Sequence, residues 1–213
     1  MVELELTKEE LENYLFNLET IGMGSNGLVQ KLDDDTCIKI YYKDIYDVYS
    51  SKDINLLDDI IERHKKIKTD LYDNERQKLE LLTQMGYITK VLYYKGYKIA
   101  VEMKLYKDYV MLYDAIRQLD KIKKELVYFK IKNKMAELIN NNIYPIDLST
   151  ANILINLDSL DVVFIDLDDS GTRYDTDDFF ADNPLVKRNL LLSCNSRLRE
   201  IKEAFENKTL TIS

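Results

Sequence analysis

The chain has 213 residues, of which 46% are apolar and 32% charged, and its formal net charge is -8. This is the composition of a globular protein large enough for one core or two small lobes, and the acidity argues against a nucleic-acid-binding surface, which needs clustered Lys and Arg. No stretch approaches the roughly 20 apolar residues that cross a bilayer, the start does not resemble a secretory signal, and two cysteines are too few for a disulfide framework, so we expect a cytoplasmic protein that does not bind membranes.

A helix followed by strands is predicted for the first forty residues. Helical spacing covers Lys8–Asn17, and Leu18–Ile21 is a candidate strand. Leu28–Leu32 and Thr36–Ile40 alternate between apolar and polar residues, and the aspartates at 33–35 favour a turn between them. We therefore expect a β-hairpin here.

Two helices are predicted before the next strands. Ile54, Leu57 and Ile61 mark an amphipathic helix inside the polar, tyrosine-rich segment 43–73. A second helix is predicted over residues 74–85, with a glycine after it as the C-cap.

Short strands and longer helices are predicted for the rest of the chain. Because strands come first and helices later, the order favours an α+β protein with two lobes, residues 1–104 and 105–213. The predicted elements are strands over 91–94 and 98–102, a helical region from 110 through 126–140, strands over 153–155 and 162–165, and two helices over 185–192 and 197–205.

Three of the six glycines lie close together in residues 21–29, which read Ile-Gly-Met-Gly-Ser-Asn-Gly-Leu-Val and fit G-x-G-x-x-G-x-V. Glycines let the backbone approach phosphates closely, although any tight hairpin also uses them. In a dinucleotide-binding fold such glycines open a helix. Here strand-like residues follow them, which favours a phosphate-binding hairpin.

A lysine and a glutamate further along could complete such a site. Strand alternation puts Cys37 and Lys39 on one face, where the lysine could reach phosphates, although a strand lysine by itself is better explained as an exposed edge residue. Glu75 lies one turn before the apolar face of the second helix and could hold the ammonium in place by pairing with it. Glu80 is the competing candidate, with less favourable spacing.

The clearest chemical signal is a pair of aspartates and an asparagine around two apolar strands. Asp147 and Asn152 form D-x-x-x-x-N directly before residues 153–155, and Asp166 ends the apolar run 163–165. A carboxylate at the end of a buried strand is costly unless it is paired or coordinated. An aspartate can accept a hydroxyl proton, and Mg²⁺ prefers amide and carboxylate oxygens. The pattern therefore predicts a magnesium site beside a carboxylate that can act as a general base.

With these elements in this order, the chain resembles the protein-kinase-like superfamily over about residues 18–169. The resemblance implies a bilobal fold with an antiparallel β-sheet N-lobe, to which a helix is added, and a reduced, mainly helical C-lobe. It also implies ATP and Mg²⁺ as cofactors.

The resemblance implies a role for each matching residue. Lys39, Glu75 and Asp147 would be catalytic, and Asn152 and Asp166 would bind the metal. The further residues that it assigns to the ATP site are Ile21, Gly22, Gly24, Gly27, Val29, Cys37, Val101, Glu102, Met103 and Leu154.

Some positions depart from the family pattern. Pro145 and Ile146 stand where the usual His-Arg precedes the catalytic aspartate, and Ser149 replaces the lysine of Ser/Thr protein kinases. Residues 166–169 read Asp-Leu-Asp-Asp instead of D-F-G. The D-L-S-x-x-N form is more similar to RIO kinases, Bud-type small kinases and aminoglycoside or homoserine kinases.

We therefore expect an ATP-dependent phosphotransferase, foremost an atypical Ser/Thr protein kinase. The acceptor is an unidentified protein or a small alcohol. The alternatives are a small-molecule kinase of the aminoglycoside or homoserine kinase type, a pseudokinase that acts through a partner bound at residues 44–73 or at the short C-lobe, and a nucleotide-independent structural or toxin-neutralising protein. The sequence does not indicate the oligomeric state.

Overall fold

The computed structural model describes residues 2–24, 27–41, 46–65, 72–167, 171–172 and 184–206. The chain divides into two compact units, Met1–Lys107 and Asp108–Ser213. Both units contain helices and strands, so the predicted α+β class is confirmed. The assignment of two kinase-like lobes, divided after residue 104, stays a prediction.

A six-stranded sheet forms the centre of the first unit. Its strands are β1 (Val2–Glu5), β2 (Glu19–Gly24), β3 (Gly27–Lys31), β4 (Thr36–Tyr41), β5 (Lys90–Tyr94) and β6 (Tyr97–Lys104). They are ordered β1-β5-β6-β4-β3-β2, with β1 parallel to β5 and every other pair antiparallel. The predicted hairpin is confirmed, because β3 pairs antiparallel with β4. In its turn, Asp33 Oδ1 accepts hydrogen bonds from the backbone N–H groups of Asp35 and Thr36, each at 2.8 Å.

The helices described in the first unit are α1 (Lys8–Phe16), α2 (Tyr46–Ser51), α3 (Asn55–Lys65) and α4 (Tyr72–Gln84). Helix α1 begins at a capping box in which Thr7 Oγ1 accepts from Glu10 N at 3.2 Å and Glu10 Oε2 accepts from Thr7 N at 2.8 Å. The segment between β4 and α4 carries two helices, α2 and α3, where the prediction had one, so the single added helix is corrected to two.

The buried core of this unit lies on one face of the sheet. Leu28, Ile38 and Ile40 share that face by strand alternation and register. They form one buried cluster with residues of the first three helices, namely Leu11, Leu15, Val48, Leu57 and Ile61. Lys39 therefore projects from the opposite face of β4.

The second unit pairs small antiparallel sheets with two long helices. Its elements are β7 (Tyr109–Met111), α5 (Leu112–Ala115), α6 (Lys121–Asn140), β8 (Ile143–Tyr144), β9 (Ile153–Asn156), β10 (Val162–Phe164), β11 (Gly171–Thr172) and α7 (Pro184–Glu206). The sheets are ordered β10-β9-β7 and β11-β8. None of the helices described is both long and apolar enough to cross a membrane.

The structure differs from the predicted elements in three places, each for an identifiable reason. Residues 109–111 form β7 instead of a helix start, because they pair with β9. The two predicted closing helices are one continuous helix, α7. Residues 193–196 have low helix propensity, but Cys194 within them is buried, with 1% exposure. Packing of this kind overrides local propensity. Strand β1 was not predicted because its residues are all exposed and show no buried face.

Candidate functional site

The glycine pattern lies in the β2–β3 hairpin of the first unit. Gly24 pairs with Gly27, and Gly22 pairs with Val29. The register shifts between Thr20 and Gly22, so Ile21 is the extra residue of a β-bulge. The two residues between the paired glycines, 25 and 26, lie outside the described residues.

Gly27 is required by the close approach of its strand to β4. A Cβ atom there would lie 2.8 Å from the backbone oxygen of Ile40 and 3.1 Å from Cε of Lys39. At Gly22, a Cβ would instead be 3.6 Å from Val29 Cβ, which is ordinary van der Waals contact. Of these two glycines, Gly27 is therefore the one held by a steric limit, and the groups that set this limit include Lys39.

Lys39 is a buried interior residue. Strand β4 lies between β3 and β6, and Lys39 pairs with Val29 on one side and Val101 on the other. Its exposure is 5%, and its Nζ lies 5.5 Å from the ring centroid of Tyr41. The explanation as an exposed edge lysine is therefore excluded, and a buried ammonium needs compensation. Glu75, the expected partner, lies in α4, but its side chain is outside the described part of the chain.

Cys37 lies on the Lys39 side of β4 and is buried. Its Sγ lies 3.7 Å from the backbone oxygen of Lys104, at the end of β6. Burial, with a contribution from the Glu102 carboxylate, raises the pKa of the thiol to about 11. The thiol therefore remains protonated at neutral pH, which suits a packing group better than a nucleophile.

Glu102 has a structural position within the sheet. Its backbone oxygen accepts from Thr89 N at 2.8 Å, and its buried carboxylate accepts from Lys90 Nζ at 2.8 Å and from Thr89 Oγ1 at 2.9 Å. Residues 101–103 all lie inside β6. All three pair with β4, and Val101 and Glu102 also pair with β5. The assignment of Val101, Glu102 and Met103 to an ATP site stays a prediction: β6 ends at Lys104, and its pairing with β5 ends at Glu102.

In the second unit, an antiparallel hairpin brings Asn152 and Asp166 together. Phe164 of β10 pairs with Ile153 of β9, and the backbone N of Ile165 donates to the oxygen of Asn152 at 2.9 Å. Asn152 directly precedes β9, and Asp166 is the second residue after the end of β10. Both side chains therefore lie at the same end of the hairpin.

The loop before β9 adds Asp147 to this end. Asn152 Nδ2 donates to the backbone oxygen of Asp147 at 3.3 Å, and Asn152 N donates to Ser149 O at 3.1 Å. This orientation directs the amide oxygen of Asn152 away from the loop. The three predicted residues line one small crevice that encloses almost no free volume, together with Pro145, Leu148, Ile165 and Leu167.

Asp166 has an unusual backbone, with φ of 63° in the left-handed region. Aspartate tolerates this region better than most residues, but it costs of order 1–3 kcal/mol and is often found at functional sites. Among the residues described, no three His, Cys, Asp or Glu side chains are grouped to hold a metal. Asp166 and Asn152 offer one carboxylate and one amide oxygen, which suits Mg²⁺ that is also held by phosphates and water.

Arg197 is a residue of this site that the sequence did not reveal. From α7, its Nε donates to the backbone oxygen of Ile146 at 2.8 Å and its Nη1 pairs with Glu200 Oε2 at 2.9 Å. Its Nη2 lies 3.6 Å from Asp147 Oδ1. The Asp147 side chain is 70% exposed, so this ion pair contributes little stability. Its effect is on the orientation of the carboxylate, and no local pattern around Arg197 could have indicated it.

Leu154, which the resemblance assigns to the ATP site, is half-buried in β9 and pairs with Met111 and Val163. Residues 168 and 169, the additional carboxylates after Asp166, lie outside the described residues. The structure thus joins Asp147, Asn152 and Asp166 in one unit and buries Lys39 in the other.

No protein-family model matches this sequence, and the search of curated proteins found no match.

Proposed function

We propose that the chain is an ATP-dependent phosphotransferase with a two-lobed, protein-kinase-like fold. The observation that carries the proposal is the convergence of Asp147, Asn152 and Asp166 on one crevice. A loop and a hairpin hold them there through backbone hydrogen bonds. Phosphoryl transfer depends mainly on positioning and charge neutralisation, and these residues are the types that it requires.

The glycine hairpin and the buried Lys39 support the nucleotide part of the proposal. Glycines at β2–β3 allow phosphate oxygens to approach the backbone, and the ammonium projects from the sheet face opposite the apolar core. By the resemblance, this ammonium would contact the phosphates of a bound triphosphate, whose transfer requires charge neutralisation. By the resemblance, the base would lie beside Val101 and Met103, near the end of β6.

The oxygens of Asn152 and Asp166 would hold Mg²⁺. When bound, the metal neutralises the charge of the phosphate oxygens. The left-handed backbone at Asp166 supports this role, because it turns the chain directly after β10 and presents the carboxylate beside Asn152.

In the proposed reaction the acceptor hydroxyl oxygen forms a bond to the γ-phosphorus, and the bond from that phosphorus to the bridging oxygen of ADP breaks. The hydroxyl proton passes to the Asp147 carboxylate. Because this side chain is 70% exposed, a bulky acceptor can reach it. We therefore favour a Ser or Thr hydroxyl of a protein over a small alcohol.

The test is incubation with γ-labelled ATP and magnesium, with mixed protein substrates or small alcohols as acceptors. The variants are Asp147→Asn and Asp166→Ala, and Asp158→Asn removes an exposed carboxylate of the same unit as the matched control. We expect the first two to lose on the order of 10²-fold or more of the transfer rate, and Asp158→Asn to keep the wild-type rate. Equal labelling by all four proteins would mean contamination and would remove the enzyme assignment.

Thermal unfolding with Mg-ATP separates the remaining alternatives. Nucleotide at about 100 times its dissociation constant should add roughly 2.7 kcal/mol of stability. Stabilisation without transfer to any acceptor would indicate a pseudokinase. Neither stabilisation nor transfer would indicate a nucleotide-independent protein.

A further inference from the structure

Helix α6 buries one face and exposes an apolar stripe on the other. Its buried residues are Val127, Ile131, Met135 and Leu138. On the opposite face Ile122 is 79% exposed, Leu126 44% and Phe129 59%. These three residues, which we call the α6 stripe, follow the i, i+4, i+7 spacing of one helical face. No residue in the described part of the chain covers them.

The α6 stripe lies in a basic environment on an acidic protein. Helix α6 carries six lysines and two glutamates, a formal charge of +4, whereas the whole chain carries -8. At about 100° per residue, Lys123 and Lys130 flank the stripe on one side and Lys121 and Lys132 on the other, where the exposed Glu125 lies between the stripe and these two lysines.

Several of these charges are not neutralised within the protein. Lys130 Nζ donates to the backbone oxygens of Ser159 and Leu160. Lys121, Lys123 and Lys132 are exposed, and within the described ranges none of them has an ion pair or a hydrogen bond through its side chain. The surface thus combines an apolar ridge with free ammonium groups on both flanks.

We propose that the α6 stripe binds an acidic amphipathic helix of a partner protein. The apolar ridge would bury the apolar face of that helix, and carboxylates on its flanks would meet the lysines. From Ile122 to Phe129 the stripe is about 10 Å long, since a helix rises 1.5 Å per residue, so two turns of a partner helix cover it.

A helical peptide fits this surface better than other anionic partners. Duplex nucleic acid would leave the three apolar side chains without apolar contacts. An anionic membrane would meet the whole protein, whose net charge of -8 opposes approach. A short peptide meets only the charges within about one Debye length of α6. This proposal does not depend on the proposed enzymatic function.

The probe is a fluorescein-labelled, 15-residue acidic peptide with apolar residues at helical spacing and glutamates on the flanks. A peptide of the same composition in scrambled order removes the apolar face but keeps the charge. Binding is followed by fluorescence anisotropy with the full chain, and circular dichroism verifies that each variant is folded. The variants are Phe129→Ser, the double variant Lys121→Glu with Lys132→Glu, and the control Val2→Ser, which changes a 56% exposed apolar side chain of the other unit.

We expect the scrambled peptide to bind at least about fivefold more weakly than the amphipathic one. Phe129→Ser and the lysine double variant should each weaken binding about tenfold, as loss of a central contact does, and Val2→Ser should not change it. Equal binding of both peptides, or unchanged binding by Phe129→Ser, would overturn the proposal. It would also be overturned if phosphatidylserine vesicles, a DNA duplex or a second copy of the chain bound more tightly and lost binding in the same variants.

Discussion

Replacing Gly27 by alanine tests how closely β3 approaches β4. The new Cβ would lie 2.8 Å from Ile40 O, a backbone atom that cannot move alone, and 3.1 Å from Cε of the buried Lys39. Overpacking of this kind costs about 1–3 kcal/mol. The alanine also reduces the entropy of the unfolded chain, which returns about 0.4–1 kcal/mol. We expect a net loss of about 1–2 kcal/mol in the free energy of unfolding.

The measurement is urea unfolding followed by far-UV circular dichroism, because the chain has no tryptophan. With a slope of about 2 kcal/mol per molar urea, the midpoint of Gly27→Ala should fall by roughly 0.5–1 M. Gly22→Ala is the matched control: its Cβ would lie 3.6 Å from Val29 Cβ, so its midpoint should be equal to that of the wild type or slightly higher. Equal midpoints for the two variants would refute the steric explanation.

Three further predictions concern single side chains. Lys90→Met should lower the free energy of unfolding by about 1–3 kcal/mol, because the buried Glu102 carboxylate loses its cation. Adding Glu102→Gln should restore part of it in the same urea assay, and a wild-type midpoint for Lys90→Met would contradict the role of the pair. If the chain is a phosphotransferase, Arg197→Ala should lower kcat about tenfold with the KM for ATP unchanged. Arg197→Lys should not restore kcat, since one ammonium cannot replace the guanidinium contacts to Ile146 and Asp147, and an unchanged kcat in Arg197→Ala would contradict the assignment. Burial raises the pKa of Cys194 to about 11 from an ordinary 9.0, so the unfolded thiol loses its proton first and this contribution to stability falls as pH rises from 9.0 to about 11. Urea midpoints across this range should fall less steeply for Cys194→Ala, and parallel curves would contradict the shift.

Local patterns were sufficient for much of the candidate site. Asn152 and Asp166 each lie within two residues of a strand, and the apolar runs 153–155 and 162–165 predicted these strands, whereas their pairing as one antiparallel hairpin is a finding of the structure. In the β3–β4 hairpin, alternation predicted that Lys39 lies on the face opposite Ile38. Contacts between residues that are close in the chain can be predicted, because apolar residues recur with the period of a helix or a strand.

Contacts between distant residues could not be read in this way. The hydrogen bonds of Glu102 to Lys90 of β5 and to the preceding Thr89 show that it belongs inside the sheet, although its sequence context looks like the end of a strand. Helix α7 continues through Cys194, which is buried. Its neighbours in the sequence are polar, so the sequence gives no sign of this burial.

The sequence by itself therefore determined the α+β class, most of the helices and hairpins, and the residue types at the proposed phosphoryl-transfer site. Only the tertiary structure decided that Lys39 is buried, that Gly27 is limited by Ile40, and that Arg197 reaches Asp147 from a helix far along the chain. The physical reason is that strand and helix periods arise from neighbouring residues, whereas burial and long-range pairing depend on which elements pack together, and that packing leaves no repeating mark in the order of the residues.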